Sequence, residues 1–254
     1  MALIGMAVYC TDQNKRDYYL EKTLNSLKET VDFSTHELGV SINSFTLETE
    51  KTIHKYGDII KHISWNGSNL GTANAVNKIW KLRKPNQHLI KMDEDIINYN
   101  YGWIDELEQA IAREPKIGII GLKRKDLLQS PNRGDYYKTT LYFLPHKLGQ
   151  TWIPFEESHD VMGSCTMFNS LLVDKIGGLM QPDTYGFDDN LASIRCKLAG
   201  FKMGFLPHIE IDHIDEGGDS YCDWKRKEAG EKMQAFNQMK ADLISGKLNI
   251  KVEL

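Results

Sequence analysis

Three short runs carry the residue types that move protons or hold metal ions: Asp93-Glu94-Asp95 closing the apolar stretch HLIKMDEDI, Asp188-Asp189 in YGFDDN, and His213 in IEIDHID. In a strand successive side chains point to opposite faces, so an extended HLIKMDEDI places Asp93 and Asp95 on one side and turns Glu94 away. Two carboxylates on one side repel each other and hold their protons more tightly unless a cation stands between them. Hard oxygen ligands suit Mg²⁺ or Mn²⁺ bridging to a bound phosphate. The competing reading is a solvated acidic turn after a strand. The Asp188-Asp189 pair has two readings as well: a proton acceptor for an attacking hydroxyl, with Asp189 the favoured member, or a cap for the helix that follows.

The elements that must position these residues follow from periodicity. ALIGMAVYC is an apolar run of strand length, and Leu20, Leu24, Leu27 and Val31 then recur at helical spacing. ELGVSINSF and IIKHISWN read as further strands around a short helix in ETEKTIHKYG. GSNLGTANAVNKIWKL puts Ala73, Val76, Ile79 and Trp80 on one helical face, introduced by Gly71 and Thr72. GWIDELEQAIAREP is a helix stopped at Pro115, and KIGIIGL is a fully apolar strand. Residues 123–147 combine a loop with a β-hairpin. VMGSCTMFNSLLVDKIGGL is a strand and short helix, the helix after the acidic pair points Leu191, Ile194 and Leu198 inward, and FKMGFLPHIEIDHID reads as a strand pair. A carboxyl-terminal helix lines up Met233, Phe236, Met239 and Leu243. Strands alternating with helices imply an α/β fold with a mostly parallel central sheet flanked by helices, whose ligands gather at the strands' carboxyl ends.

The 254 residues suffice for one large domain over 1–254, read as a first half (1–122), a second half (123–220) and a carboxyl-terminal helix (221–254). With 41% hydrophobic residues the chain can bury a core, and a formal charge of −4 argues against coating nucleic acid or anionic membrane over the whole surface. The four cysteines, Cys10, Cys165, Cys196 and Cys222, lack zinc spacing and read as reduced, buried thiols. No basic leader and no apolar run of ~18 residues is present, so the expectation is a cytoplasmic protein without a membrane span.

Four segments together resemble the family 2 glycosyltransferases of the GT-A fold, over about residues 3–215. SWNGSNLGTANAVN is similar to the family's N-x-G-x-x-x-A-x-N helix start, KMDEDIINYNYGWIDEL to its D-x-D strand end, DVMGSCTMFNSLLVDKIGGL to its acceptor-side strand and helix, and YGFDDNLASIRCKLAGFKMGFLPHIEIDH to the segment running from an acidic pair to a His. The resemblance implies a non-processive, inverting, metal-dependent transfer of one sugar from a nucleoside diphosphate sugar, most commonly a UDP-sugar, to an acceptor hydroxyl. Asp95 is expected to bind Mn²⁺ or Mg²⁺ directly and Asp93 to contact the metal or the donor ribose. The family pattern implies His213 as a further metal ligand, the alternative being a surface histidine. Thr11 and Asp12 stand where the family contacts the base, and Asn69, Gly71 and Asn74 at a helix start able to face phosphate or ribose. Arg195 is either a diphosphate contact or a structurally paired arginine. One departure stands out: the second strand ends in Asn43-Ser44, where the family has an acidic base contact.

The acceptor stays open between a glycan or lipid-linked saccharide and a hydroxymethylated DNA base. For the latter, Lys123, Arg124, Lys125, Arg133, Lys138 and Lys147 interleave with Tyr136, Tyr137, Tyr142 and Phe143 in one stretch. Cations with stacking rings can hold a nucleic acid, and mixed charge runs also simply face water. A non-catalytic nucleotide-sugar or nucleic-acid binding protein is the reading of another class. A nucleotidyltransferase would need a Gly-rich phosphate loop, which TDQNKRD is not.

Overall fold

The structure is a computed structural model that describes residues 1–128, 139–215 and 219–254. The amino-terminal half alternates strand and helix: β1 (Ala2–Tyr9), α1 (Asp17–Thr30), β2 (Glu37–Ser44), α2 (Leu47–Lys55), β3 (Ile60–Trp65), α3 (Gly71–Trp80) and β4 (His88–Met92). After it come β5 (Ile96–Asn98), α4 (Trp103–Arg113), β6 (Ile117–Arg124), α5 (Lys125–Leu128), β7 (Thr140–Phe143) and β8 (Pro154–Glu157). The chain continues through β9 (Cys165–Phe168), α6 (Ser170–Ile176), α7 (Asp188–Leu198), β10 (Lys202–His213) and α8 (Asp219–Ile244).

One sheet runs β3-β2-β1-β4-β9-β6-β10-β8-β7, with β5 paired to β10. The first four strands are mutually parallel, and β6 is parallel to β10. β9 runs antiparallel between β4 and β6, so the sheet is mixed. Apolar periodicity carries no strand direction; the connections decide it. Alternation along β1 sends Ala2, Ile4, Met6 and Val8 into a core with α1, α2 and α4, and Leu3 into a second core with α3, α6 and α7. Each leucine or isoleucine fully buried there contributes about 1.5–3 kcal/mol. Gly5 and Gly39 let α3 close on the sheet: a Cβ on Gly5 would lie 2.8 Å from the Trp80 indole, and one on Gly39 would run into Ile79.

Several elements depart from the periodicity reading. FKMGFLPHIEIDH is one strand, whose register against β6 jumps between Leu206 and Glu210, around Pro207, which has no N–H to continue the ladder. The hairpin is β7 with β8, and its second strand lies beyond residue 147. Leu198 and Met233, expected inward, are each 43% exposed, while Phe236 stacks on Phe187. Cys10, Cys165 and Cys196 are buried free thiols; the side chain of Cys222 lies outside the described residues. No helix among the described residues is long and apolar enough to cross a membrane.

Candidate active site

β4 ends at Met92, and Asp93-Glu94-Asp95 forms the turn into β5. Strand alternation therefore does not apply to the triplet. Its carboxylates are divided between two buried cations that sequence reasoning missed. Lys91 Nζ lies 2.7 Å from Asp93 Oδ1. Arg16, just before α1, holds Glu94 at 2.8 Å through Nε, Asp95 at 2.6 Å through Nη2 and Asp215 at 2.8 Å through Nη1. Glu94 thus does not turn away; burial pushes its carboxyl up to about 7 against the pull of Arg16. A lysine inside an otherwise apolar strand was the available signal for Lys91, because an ammonium is buried there only with partners.

His213 reaches the triplet because the end of β10 pairs antiparallel with β5, His213 opposite Ile96. Its Nε2 stands 3.4 Å from Asp95 Oδ2, and Ile214 N–H donates to the Asp95 carbonyl. Asp212 is held elsewhere, by Tyr99 at 2.7 Å and Lys125 at 3.0 Å. Asp95 Oδ1 is buried with no hydrogen-bond partner among the described residues. Such an oxygen costs about 1–3 kcal/mol unless something binds it. Asp95 and His213 therefore fit a divalent cation with mixed O and N preference, such as Mn²⁺. Among the described residues no three His, Cys, Asp or Glu groups converge as a complete cage, and Asp93 is held on Lys91 instead. A two-ligand site of this kind draws its remaining oxygens from water or a bound phosphate.

The acidic pair opens α7 behind Phe187, whose φ of 64° is left-handed. Phe187, not an aspartate, occupies the N-cap, and no side chain caps it. Asp188 is buried, with Oδ2 3.7 Å from Lys91 Nζ. Asp189 keeps part of its surface open; its Oδ2 accepts from Gly163 N–H at 3.3 Å and its Oδ1 from Asn190 N–H at 2.8 Å. Burial, then the charges of Asp188 and Asp160, push Asp189 up to about 7 against Lys91. A partly open carboxyl that titrates near neutrality can accept a proton from a hydroxyl. Gly163 is where it is because a Cβ there would stand 3.0 Å from Lys91 Nζ and 3.1 Å from Asp189 Cβ.

On the expected donor side, Thr11 and Asn14 bond reciprocally, side chain to backbone N–H, ahead of α1, and Asp12 is exposed. Asn43 is buried, donating to the Gly71 carbonyl and accepting from Asn66 and Leu70 N–H. The α3 start is less open to a ligand than expected. Gly71 N–H goes to Asn69 Oδ1, Ala73 N–H to Gln181 Oε1, and Asn74 Nδ2 to the Leu70 carbonyl. Gly71, at φ +77°, lets the loop before α7 close in, since a Cβ would lie 2.7 Å from the Thr184 backbone.

No family model and no curated protein matches the sequence. Solved structures match along most of the chain. The mannosyltransferase PcManGT of Pyrobaculum calidifontis, in complex with GDP-Man and Mn²⁺, superposes with a TM-score of 0.68 at 15% identity, over 95% of this chain and 64% of that one. This chain has the GT-A fold. Residues 1–349 of S. aureus TarS match with a TM-score of 0.59 at 14% identity over 85% and 61% of the two chains. GalNAc-T7 with UDP, GalNAc and Mn²⁺ gives 0.57 and 14% over 84% and 43%. The present chain spans less than two thirds of the length of each.

Within the GT-A frame the structure bears on two readings that the sequence left open. Arg195 is fully buried and donates to the carbonyls of Ile250 at 2.7 Å, Gly178 at 2.8 Å and Ile176, so it faces no diphosphate. Burial lowers its guanidinium to about 10. The basic run is also spoken for: Lys123 pairs with Glu156, Arg124 with Asp126 at 2.6 Å and Lys125 with Asp212. Three cations met by three carboxylates are a poor track for a nucleic-acid backbone. Arg133, Lys138, Tyr136 and Tyr137 lie outside the described residues. Tyr142 packs on Phe155, and Phe143 on Trp152.

Proposed function

We propose that this chain, acting as one domain, is a metal-dependent, inverting glycosyltransferase. It moves a single sugar from a nucleoside diphosphate sugar, UDP-linked as the first choice, to a hydroxyl of a glycan or lipid-linked acceptor. The observation that carries the reading is Lys91 standing between Asp93, in the same turn as Asp95 of the Asp95–His213 pair, and the near-neutral carboxyl of Asp189. Asp189 takes the proton from the acceptor hydroxyl as its oxygen bonds to the anomeric carbon and the bond to the diphosphate breaks, giving inversion by direct displacement. Asp95 and His213 would hold the divalent ion, which neutralises charge on the leaving diphosphate. Asp93 serves the donor ribose. Thr11 and Asp12 serve the nucleotide's side. The ligands bound in the neighbours, GDP-Man with Mn²⁺ in one and UDP with Mn²⁺ in another, support this donor class.

The test is titration calorimetry of UDP, GDP and their sugars with and without Mn²⁺, followed by a labelled-sugar transfer screen against glycan, lipid-linked and hydroxymethylated DNA acceptors. One nucleotide that binds only with Mn²⁺, and transfer that yields the inverted anomer, are expected. No Mn²⁺-dependent binding of any nucleotide would overturn the reading in favour of another role for the fold.

A further inference from the structure

Lys91 is the least expected residue in the site. It sits in the middle of the sheet, on β4 opposite Thr166 of β9, with its side chain 8% exposed. Its ammonium spans two parts of the chain nearly a hundred residues apart, 2.7 Å from Asp93 Oδ1 in the β4–β5 turn and 3.7 Å from Asp188 Oδ2 at the start of α7. Lys91, Gly163, Thr166, Asp188 and Asp189 line one small pocket between those two parts. Gly163 leaves the space the ammonium needs.

We propose that Lys91 is a positioning residue whose buried ammonium ties Asp93, on the donor side, to the Asp188–Asp189 pair on the acceptor side. The inference rests on the glycosyltransferase reading for what the coupling serves. A buried lysine is stable only against nearby negative charge. Burial alone would favour its neutral form, and Asp93, Asp188 and Asp189 overrule that and keep it charged. The same charge acts back on its partners. Among the described residues the charged groups that act on Asp189 are Asp188 from its own helix, Asp160 from the loop before β9, and Lys91 from β4; of these charges Lys91 favours the ionised carboxylate, alongside the N–H groups of Gly163 and Asn190. Tyr185, from the loop before α7, faces Asp93, Asp188 and Lys91. Without Lys91, Asp188 and Asp189 would share an uncompensated site, and Asp93 would lose the partner that aims it.

The test is a carbon-13 NMR titration of the aspartate carboxyls in wild type, Lys91→Met and Lys91→Arg, with Asp189 assigned through Asp189→Asn. In parallel, UDP is titrated with Mn²⁺ by calorimetry. Lys91→Met is expected to raise the Asp189 midpoint by about one unit or more, as loss of a close opposite charge does, and to weaken UDP binding at least about fivefold. Lys91→Arg, which keeps the charge, should hold the midpoint near the wild-type value. Should Lys91→Met fail to fold, Asp93→Asn is compared with Lys91→Met/Asp93→Asn, in which the stranded carboxylate is neutralised and the Asp189 midpoint is read as before. An unmoved midpoint on loss of the ammonium overturns the inference. Wild type that binds no nucleotide overturns the functional reading instead, and the titration still decides the role of Lys91.

Discussion

Asp189 and Glu94 are both carboxyls that burial lifts to about 7, and they differ in what can reach them. Glu94 is locked on Arg16 inside the protein, whereas Asp189 keeps an open edge and a backbone N–H from Gly163. Only the open one can exchange a proton with a substrate. Turnover should therefore rise as Asp189 ionises, through about pH 7, and level off above it. Asp189→Asn should remove that rise and cut kcat about 10²–10⁴-fold with UDP affinity nearly intact; a pH–rate profile with a calorimetric titration checks both. Asp95→Ala should instead abolish the Mn²⁺ dependence of UDP binding, read in the same calorimeter. The acidic triplet and the Asp188-Asp189 pair were legible as chemistry from residue type and spacing. Arg16 was not, and Lys91 showed only as a lysine in an apolar strand, since their partners meet only where the chain segments after β1, β4 and β10 and the start of α7 converge.

At the scale of elements, each loop at the strand ends is held by a few polar side chains. Glu37 does this work at the opposite end of the sheet. It opens β2 and meets Lys61 of β3 at 2.6 Å, and also Lys84 and Gln87 of the turn before β4. Burial opposes its charge, and the hydrogen bonds from Lys61, Lys84 and Gln87 outweigh it and lower the carboxyl to about 2. A lowered folded-state value means that the stabilisation is present above the unfolded value of 4.5 and is lost as pH falls towards 2. Glu37→Gln should thus lower stability at pH 7 by on the order of 1 kcal/mol, because both lysines are half-exposed, seen as a lower Tm, and the difference should shrink as pH falls towards 2. Melting curves across that range check it. Gly163→Ala belongs to the same scale: the added methyl meets Lys91 and the Asp189 side chain, so activity should fall more than tenfold for a small change in Tm, as about 1 Å of misplacement can cost about 10². The strands and helices were nearly all readable from period and breakers. The 93–95 turn, the single β10 and the antiparallel β9 were not, because strand ends and directions depend on pairing partners.

For the whole molecule, the last residues of the chain return to its body. Val252 pairs with Gly177, and Arg195 joins the carbonyls of Ile176, Gly178 and Ile250 across that contact. Replacing Arg195 with Met should lower stability by about 2–4 kcal/mol, since several buried carbonyls lose their donor at once, and should leave UDP affinity within about twofold; a diphosphate contact would give the reverse. Thermal melts and calorimetry on one preparation separate the two. The sequence by itself determined the α/β alternation, the GT-A resemblance and the chemical types at the site, because these rest on local periodicity and on residues close together in the chain. Tertiary structure alone decided which carboxylates meet which cations, that Arg195 is structural, and that the basic run at 123–125 is neutralised. Those facts are distances between residues far apart in the chain, and burial turns such distances into energy.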